Sequence, residues 1–418
     1  MNDSQKRWAF WALAAAFLVD FLGYAFIVPI LPSWKQEFAL SNTEATALVS
    51  LWAVPLFILG PKTGRITDRL GAGRTILFSL FSLTIASLLY LVAMEITFVD
   101  GFIILAIARL IHGASGAAIL TAGFAAASDI WPMKFGEISG KLIAMATIGG
   151  LLGPVIGGVA YTLGPEYAFI GLALITATII PLVYVTTKEL GMGGEPAQGS
   201  VPLKVFIQNP VLFRIGLLVT MTTLATGALE AGVPLFLEEN LGLNAAWIGA
   251  VLLVMVVAQG MGGWIWGALV DRNGPVRYMV FGWYIVTIAM LAAGYVAYSI
   301  SDAVLAAYCI IVILGIFQFA ISAAQVPMLP MIDTATSQVY GKGGAGLAFG
   351  AFGTAWAAGT IIGPMVIGPV YDYTGSWGIT LGILAIPMLC GLLITLSNRE
   401  LLAECYDSEM SKRHESEQ

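Results

Sequence analysis

The stretch Trp8–Pro32, WAFWALAAAFLVDFLGYAFIVPILP, settles the class of this protein. It is apolar for longer than the roughly 20 residues an α-helix needs to cross a bilayer. Near its middle sits one carboxylate, Asp20. A charge at that depth costs about 2.5 kcal/mol or more on insertion scales. Intramembrane acids that persist against such a cost mark sites of function by default.

Outward from this stretch, apolar runs recur twelve times: 8–32, 45–63, 74–93, 101–124, 138–162, 167–187, 212–236, 247–268, 277–299, 303–326, 345–370 and 376–397. Hydrophobic residues make up 58% of the chain and charged residues 11%, and mean hydropathy is +0.88. A soluble protein carries about 25% charge. The expectation is an all-α polytopic membrane protein, with 48 glycines that let its helices approach closely. One connection is long. Residues 188–211, KELGMGGEPAQGSVPLKVFIQNPV, are rich in Gly and Pro and divide the chain into six spans and six spans. The expected organisation is two pseudo-symmetric six-helix bundles, 1–187 and 212–397, with linker 188–211 and a polar tail 398–418.

Lys and Arg set the orientation. With both termini inside, 17 of the 19 fall on inner segments. Lys35 alone is outside, and Arg109 lies within a span. Trp8 onward reads as a retained helix, because no short apolar region followed by a small-residue cleavage site precedes it.

The halves repeat. GRITDRLGAGR (64–74) recurs as GALVDRNGPVR (267–277). Gly140, Gly149, Gly153, Pro154, Gly157 and Gly158 of the fifth span recur 210 residues later as Gly350, Gly359, Gly363, Pro364 and Gly368, only Gly157 lacking a counterpart. Asp20 and Glu230 are also 210 apart, each in the first span of its half. Such repeats suit two bundles rocking about a midplane site.

The repeated Gly-x-x-x-Asp-Arg-x-Gly segments, the Gly-Pro pattern of span five and Arg109-x-x-His112-Gly113 in span four together resemble the major facilitator superfamily over the whole chain. The pattern at 140–158 resembles the twelve-span drug:proton antiporter branch. Asp20 before Val-Pro-Ile-Leu-Pro, and Leu229-Glu230 before Pro234, look like the vesicular monoamine transporters and their bacterial relatives. This resemblance implies a proton-coupled antiporter in the cytoplasmic membrane, acting as a monomer, that exports lipophilic organic cations or amines. An exporter of a neutral or anionic metabolite such as a siderophore is the alternative, and a non-transporting membrane receptor a remote one. ATP is not the expected fuel, since no P-loop is present.

The site expected from this reading has several parts. Asp20 serves as an anionic anchor or proton site, or as a buried structural acid. A carboxylate away from water takes a proton or an organic cation as its counter-charge, and competition between them couples opposite flows. Glu230 couples protons or binds cation, or is a helix-interface acid held by Thr226 or a water. Arg109 resembles the superfamily's span-four arginine, tied to proton-linked transport; a lock that bonds backbone carbonyls or an acid between helices is the other reading. His112, on the same helical face, titrates or packs. Tyr24, Trp52, Gln318, Ser322, Phe352 and Trp356 line a cavity or pack between helices. Gly64, Asp68, Arg69, Asp271, Arg272 and Asp129 form an inner latch. Gly149, Gly153, Gly157 and Gly158 form a flat packing face, with Pro154 bending the helix by removing a donor.

The vesicular amine transporters carry further acids in spans ten and eleven and a lysine in span two; here those regions hold Ser322, Gly353 and Trp52. No metal site, cofactor or enzyme activity is expected. Cys309, Cys390 and Cys405 follow no metal or disulfide spacing. Gly341-x-Gly343-x-x-Gly346 has the spacing of a dinucleotide fingerprint but no strand before it. Asn2-Asp3-Ser4 fits a glycan acceptor on the wrong side of the membrane. Nothing points to nucleic acid.

Overall fold

The computed structural model describes residues 2–96, 99–131, 134–187, 203–340 and 345–407. Most of the 188–211 segment, Gly341 and Gly343, and the tail beyond 407 lie outside them. Among the described residues there is no strand, and twelve helical segments are long and apolar enough to cross a membrane.

These residues fall into two compact units: Met1–Ser200 with Leu243–Leu253, and Val201–Gly242 with Val254–Gln418. The first unit opens with α1 (Asp3–Phe26). A 3-10 turn at Val28–Ile30 and a short α2 (Leu31–Glu37) complete the span. Pro29 and Pro32 cannot donate backbone hydrogen bonds, which breaks the helix here without ending the crossing. Then follow α3 (Asn42–Leu70), α4 (Ala72–Glu95), α5 (Gly101–Ile130), α6 (Phe135–Leu163) and α7 (Pro165–Thr187).

The second unit runs from α8 (Leu203–Gln208) and α9 (Pro210–Leu241), through α10 (Ala245–Asn273), whose first turns belong to the first unit. It continues with α11 (Val276–Ser299), α12 (Ala303–Gln325), α13 (Met328–Tyr340), α14 (Ala345–Thr374), α15 (Trp377–Gly382) and α16 (Ala385–Ser397). A last helix covers 399–407.

The helices are longer than the apolar runs. α1 starts five residues before Trp8 because Asn2 and Gln5 close a reciprocal capping box on its first turn. Ser41 and Glu44 do the same for α3. α13, which apolar periodicity did not reveal, is helical between spans ten and eleven. Gly71 and Gly274 explain the repeated Asp-Arg-x-Gly segments. Their φ angles are +86° and +80°, so each ends its helix in a conformation costly for any other residue.

Within the first unit α1 lies mainly on α6; within the second, α9 lies mainly on α14. The glycine repeat makes both contacts. A Cβ at Gly149 or Gly157 would stand inside van der Waals distance of the Leu18 or Phe26 carbonyl oxygen, and one at Gly153 would stand 2.7 Å from that of Leu22. Gly359 and Gly363 crowd the Thr220 and Leu224 carbonyls in the same way. The flat face expected at 149–157 is therefore the seat of α1. Gly158 faces the backbone of Ala245, and Gly249 that of Pro154, so the start of α10 seats on α6. α6 continues unbroken through Pro154.

These contacts correct one equivalence. Gly149 and Gly359 are 210 apart, but the residues they meet, Leu18 and Thr220, are 202 apart. Leu22 and Leu224 keep the same offset. Thr222, not Glu230, is thus the positional counterpart of Asp20. Glu230 lies eight residues further along its helix, about 12 Å at 1.5 Å per residue. The shared spacing of the two acids is a coincidence of numbering, because spans one and seven repeat at one interval and spans five and eleven at another.

Candidate functional site

The first unit gathers a polar cluster from three helices. α1 contributes Asp20 and Tyr24, one turn apart; α3 contributes Leu48 and Trp52; α5 contributes Arg109, His112 and Gly116. Each set follows the i, i+3, i+4, i+7 spacing that keeps residues on one helical face.

Asp20 is 0% exposed. Neither carboxylate oxygen has a hydrogen-bond partner among the described residues. Buried carboxylates are nearly always paired, so this one is an exception. Its nearest ionisable neighbour is His112, also 0% exposed, whose Nε2 lies 3.8 Å from Asp20 Oδ1 and 3.3 Å from the Asp20 carbonyl oxygen. His112 Nδ1 has no partner among the described residues. Gly116 keeps the space open: a Cβ there would come within 2.9 Å of Asp20 Oδ2 and 3.3 Å of the Trp52 ring.

Trp52 is the aromatic wall. Tyr24 lies against it at 4.1 Å between ring centroids, and His112 meets it edge-on at 6.2 Å. Gly113 lets α5 reach it, since a Cβ at that position would overlap the Trp52 carbonyl. Arg109, 1% exposed, donates from Nε to the Leu48 carbonyl at 2.7 Å and sits 5.5 Å from the Tyr24 ring centroid. No ion pair between Arg109 and Asp20 occurs among the described residues. The geometry is that of a lock holding α5 to α3 and to Tyr24, through a charge-assisted hydrogen bond and a cation–π contact.

The expected residues of the second unit lie on three helices, α9, α12 and α14. Glu230 is half-buried on α9. Thr226, its expected structural partner, donates instead to the Thr222 and Thr223 carbonyls of its own helix, at 3.2 and 3.3 Å. Gln318 and Ser322 are buried one turn apart on α12. The Ser322 hydroxyl donates to the Gln259 carbonyl at 2.8 Å, and the Gln259 amide donates to Gln325 at 3.1 Å. Gln318 Oε1 has no partner among the described residues. Phe352 and Trp356 are half-buried, one turn apart on α14, and Gly353 faces open space.

Of the expected latch, the side chains at 64 and 68 lie outside the described ones. Arg69, Arg272 and Asp129 are exposed. Asp271 accepts a hydrogen bond from the Tyr406 hydroxyl at 2.6 Å, a partner that only the folded chain reveals. Leu402 and Cys405 of the same terminal helix are buried.

Sequence reading also missed a repeated pair at the far end of each unit. Tyr161 on α6 donates to Glu37 at 3.1 Å; Tyr371 on α14 donates to Glu239, which also accepts from Trp377 Nε1 at 3.2 Å. The glutamates are 202 apart and the tyrosines 210 apart, the same intervals as the glycine contacts. The signal was present in the spacing but invisible without knowing which spans touch.

Residues 13–364 match the family described as Major Facilitator Superfamily. A human protein, MFS-type transporter SLC18B1, is 25% identical over 388 residues, covering 82% of this chain and 83% of its own. Multidrug resistance protein 2 of Bacillus subtilis is 27% identical over 290 residues, covering 66% and 70%. Among solved structures, a bacterial homolog of the human lysosomal transporter Spinster superposes with a TM-score of 0.75 at 14% identity, covering 98% of this chain and 99% of that one.

Proposed function

The chain belongs to the major facilitator superfamily and is a multi-pass membrane transporter of small molecules, not an enzyme; on that premise we propose that it exports lipophilic organic cations in exchange for protons. The observation that carries this reading is Asp20, a fully buried carboxylate with two unpartnered oxygens beside an aromatic wall. An anion in low dielectric is stabilised by whichever positive ligand reaches it. A proton and an organic cation compete for the same oxygens, so occupancy by one expels the other.

Trp52 and Tyr24 suit the cation. A cation over an aromatic face gains roughly 0.5–2 kcal/mol. His112, with Nε2 3.3 Å from the Asp20 carbonyl oxygen and its ring edge-on to Trp52, packs the site beside the carboxylate. Arg109 is committed to Leu48 and Tyr24, and in this reading it braces the site rather than exchanging protons. Glu230, on α9, is a second coupling candidate independent of Asp20. The names of several relatives, multidrug resistance proteins of bacteria, agree with drug-type cargo. Export would proceed by alternating access in the cytoplasmic membrane, with both termini inside and the monomer as the working unit. The membrane potential adds about 2.3 kcal/mol per charge per 100 mV.

The test is transport in proteoliposomes under an imposed pH gradient, with tetraphenylphosphonium as the probe cation. Gradient-dependent uptake that disappears in Asp20→Asn supports the proposal. Uptake in Asp20→Asn equal to wild type, or gradient-driven movement of an anion instead of the cation, would overturn it. Glu230→Gln separates the second acid: retained uphill transport excludes Glu230 as the coupling group.

A further inference from the structure

The first unit carries a cavity whose lining includes no residue of the Asp20 cluster. It measures about 590 Å³ and opens where α1 and α6 begin and α5 ends. Three cations line it: Lys6 and Arg7 from the first turns of α1, and Lys134 at the N-cap of α6. Phe10 and Trp131 form an apolar wall, meeting edge to face at 6.4 Å. Two carboxylates also line it, so the cations outnumber the acids three to two. Glu137 is bound to Lys141 at 2.5 Å, and Asp3 lies in the first turn of α1, where the helix N-terminus already favours negative charge.

A second feature points to the same kind of ligand. Among the described residues Lys134 makes no side-chain cap, and the 29-residue helix α6 begins beside the cavity. Such a helix end attracts phosphate-like anions. Trp8 and Trp11, 53% and 52% exposed on the first turns of α1, belong to the residue type that settles at the membrane–water boundary. The Lys and Arg asymmetry puts this end at the inner leaflet, whose anionic lipids draw basic residues.

We propose that this cavity holds the headgroup of one anionic phospholipid of the inner leaflet. The phosphate meets Lys6, Arg7, Lys134 and the α6 N-terminus, and the glycerol and first acyl carbons run along Phe10 and Trp131. A free inorganic anion would leave the aromatic wall unused. The bound lipid ties together the starts of α1 and α6, so lipid composition acts on the helix that carries Asp20.

The experiment is native mass spectrometry of the full-length protein in neutral detergent, titrated with phosphatidylglycerol, with phosphatidylcholine as control. One phosphatidylglycerol is expected to bind ahead of the rest. The combined Lys6→Gln, Arg7→Gln, Lys134→Gln variant weakens that site roughly a hundredfold, as the loss of three cations beside an anionic headgroup implies. Phosphatidylcholine binding stays unchanged. If the combined variant does not fold, Lys134→Gln alone is expected to weaken the site about fivefold, and Trp131→Ala to weaken it with every cation retained. Equal phosphatidylglycerol affinity in wild type and the folded variants overturns the proposal. So does displacement of the lipid by millimolar inorganic phosphate, which would mark a site for free anions.

Discussion

At the scale of single residues, Asp20 and Arg109 solve opposite problems. Neither Asp20 carboxylate oxygen accepts a hydrogen bond among the described residues, whereas Arg109 Nε is held by the Leu48 carbonyl and its guanidinium lies by the Tyr24 ring, with Nη1 unpartnered there. A buried carboxyl without hydrogen bonds costs folding free energy, so Asp20→Asn, equal in shape and uncharged, is predicted to keep or raise the unfolding temperature in detergent while removing gradient-driven uptake. A fall of several degrees would show that Asp20 has a structural partner. Arg109→Ala frees the Leu48 carbonyl and the Tyr24 face. It is predicted to destabilise by about 1.5–3 kcal/mol, the worth of a hydrogen bond to a charged group, read as a lower melting temperature. Arg109→Lys restores the charge but not the planar fork, so it recovers only part of the loss.

At the scale of elements, glycine spacing determines how the cores of the two units close. α1 seats on α6, and α9 on α14, at positions where no side chain fits. Gly149→Ala is predicted to cost about 1–3 kcal/mol through overpacking against the Leu18 backbone, seen as a lower melting temperature. Gly140→Ala, at a helical position facing open space, keeps or raises it. The tyrosine–glutamate pairs finish the same two contacts. Tyr161→Phe and Tyr371→Phe are each predicted to cost about 0.5–1.5 kcal/mol. Because the pairs lie in separate units, the two losses add in the double variant; a double variant no worse than either single would show that the pairs act together.

At the scale of the whole molecule, the membrane dictates what the sequence displays. Each crossing needs a long apolar run, so twelve spans are legible in the residues alone. The asymmetry of Lys and Arg predicts a topology: in a background without the native cysteines, Lys35→Cys reacts with an impermeant thiol reagent from outside intact cells, and Arg399→Cys only after permeabilisation. Tertiary partners were less legible. That His112 faces Asp20, that Tyr406 bonds Asp271, and that Thr222 matches Asp20 follow from contacts between distant segments. The even interval of 210 residues suggested a symmetric pair of acids, and only the packing of α1 and α9 showed two different intervals. α13 escaped because Asp333, Thr334, Thr336, Ser337 and Gln338 interrupt the apolar run that marks the other spans.

The most direct test of the central claim counts protons on binding. In weakly buffered detergent solution near neutral pH, adding tetraphenylphosphonium to the wild-type protein is predicted to release about one proton per molecule as the cation replaces the proton on Asp20. Release and apparent affinity change with pH in linked fashion: affinity falls as pH falls, because the proton competes better. Asp20→Asn is predicted to release none, while Glu230→Gln releases as much as wild type. Equal proton release from wild type and Asp20→Asn would contradict the account.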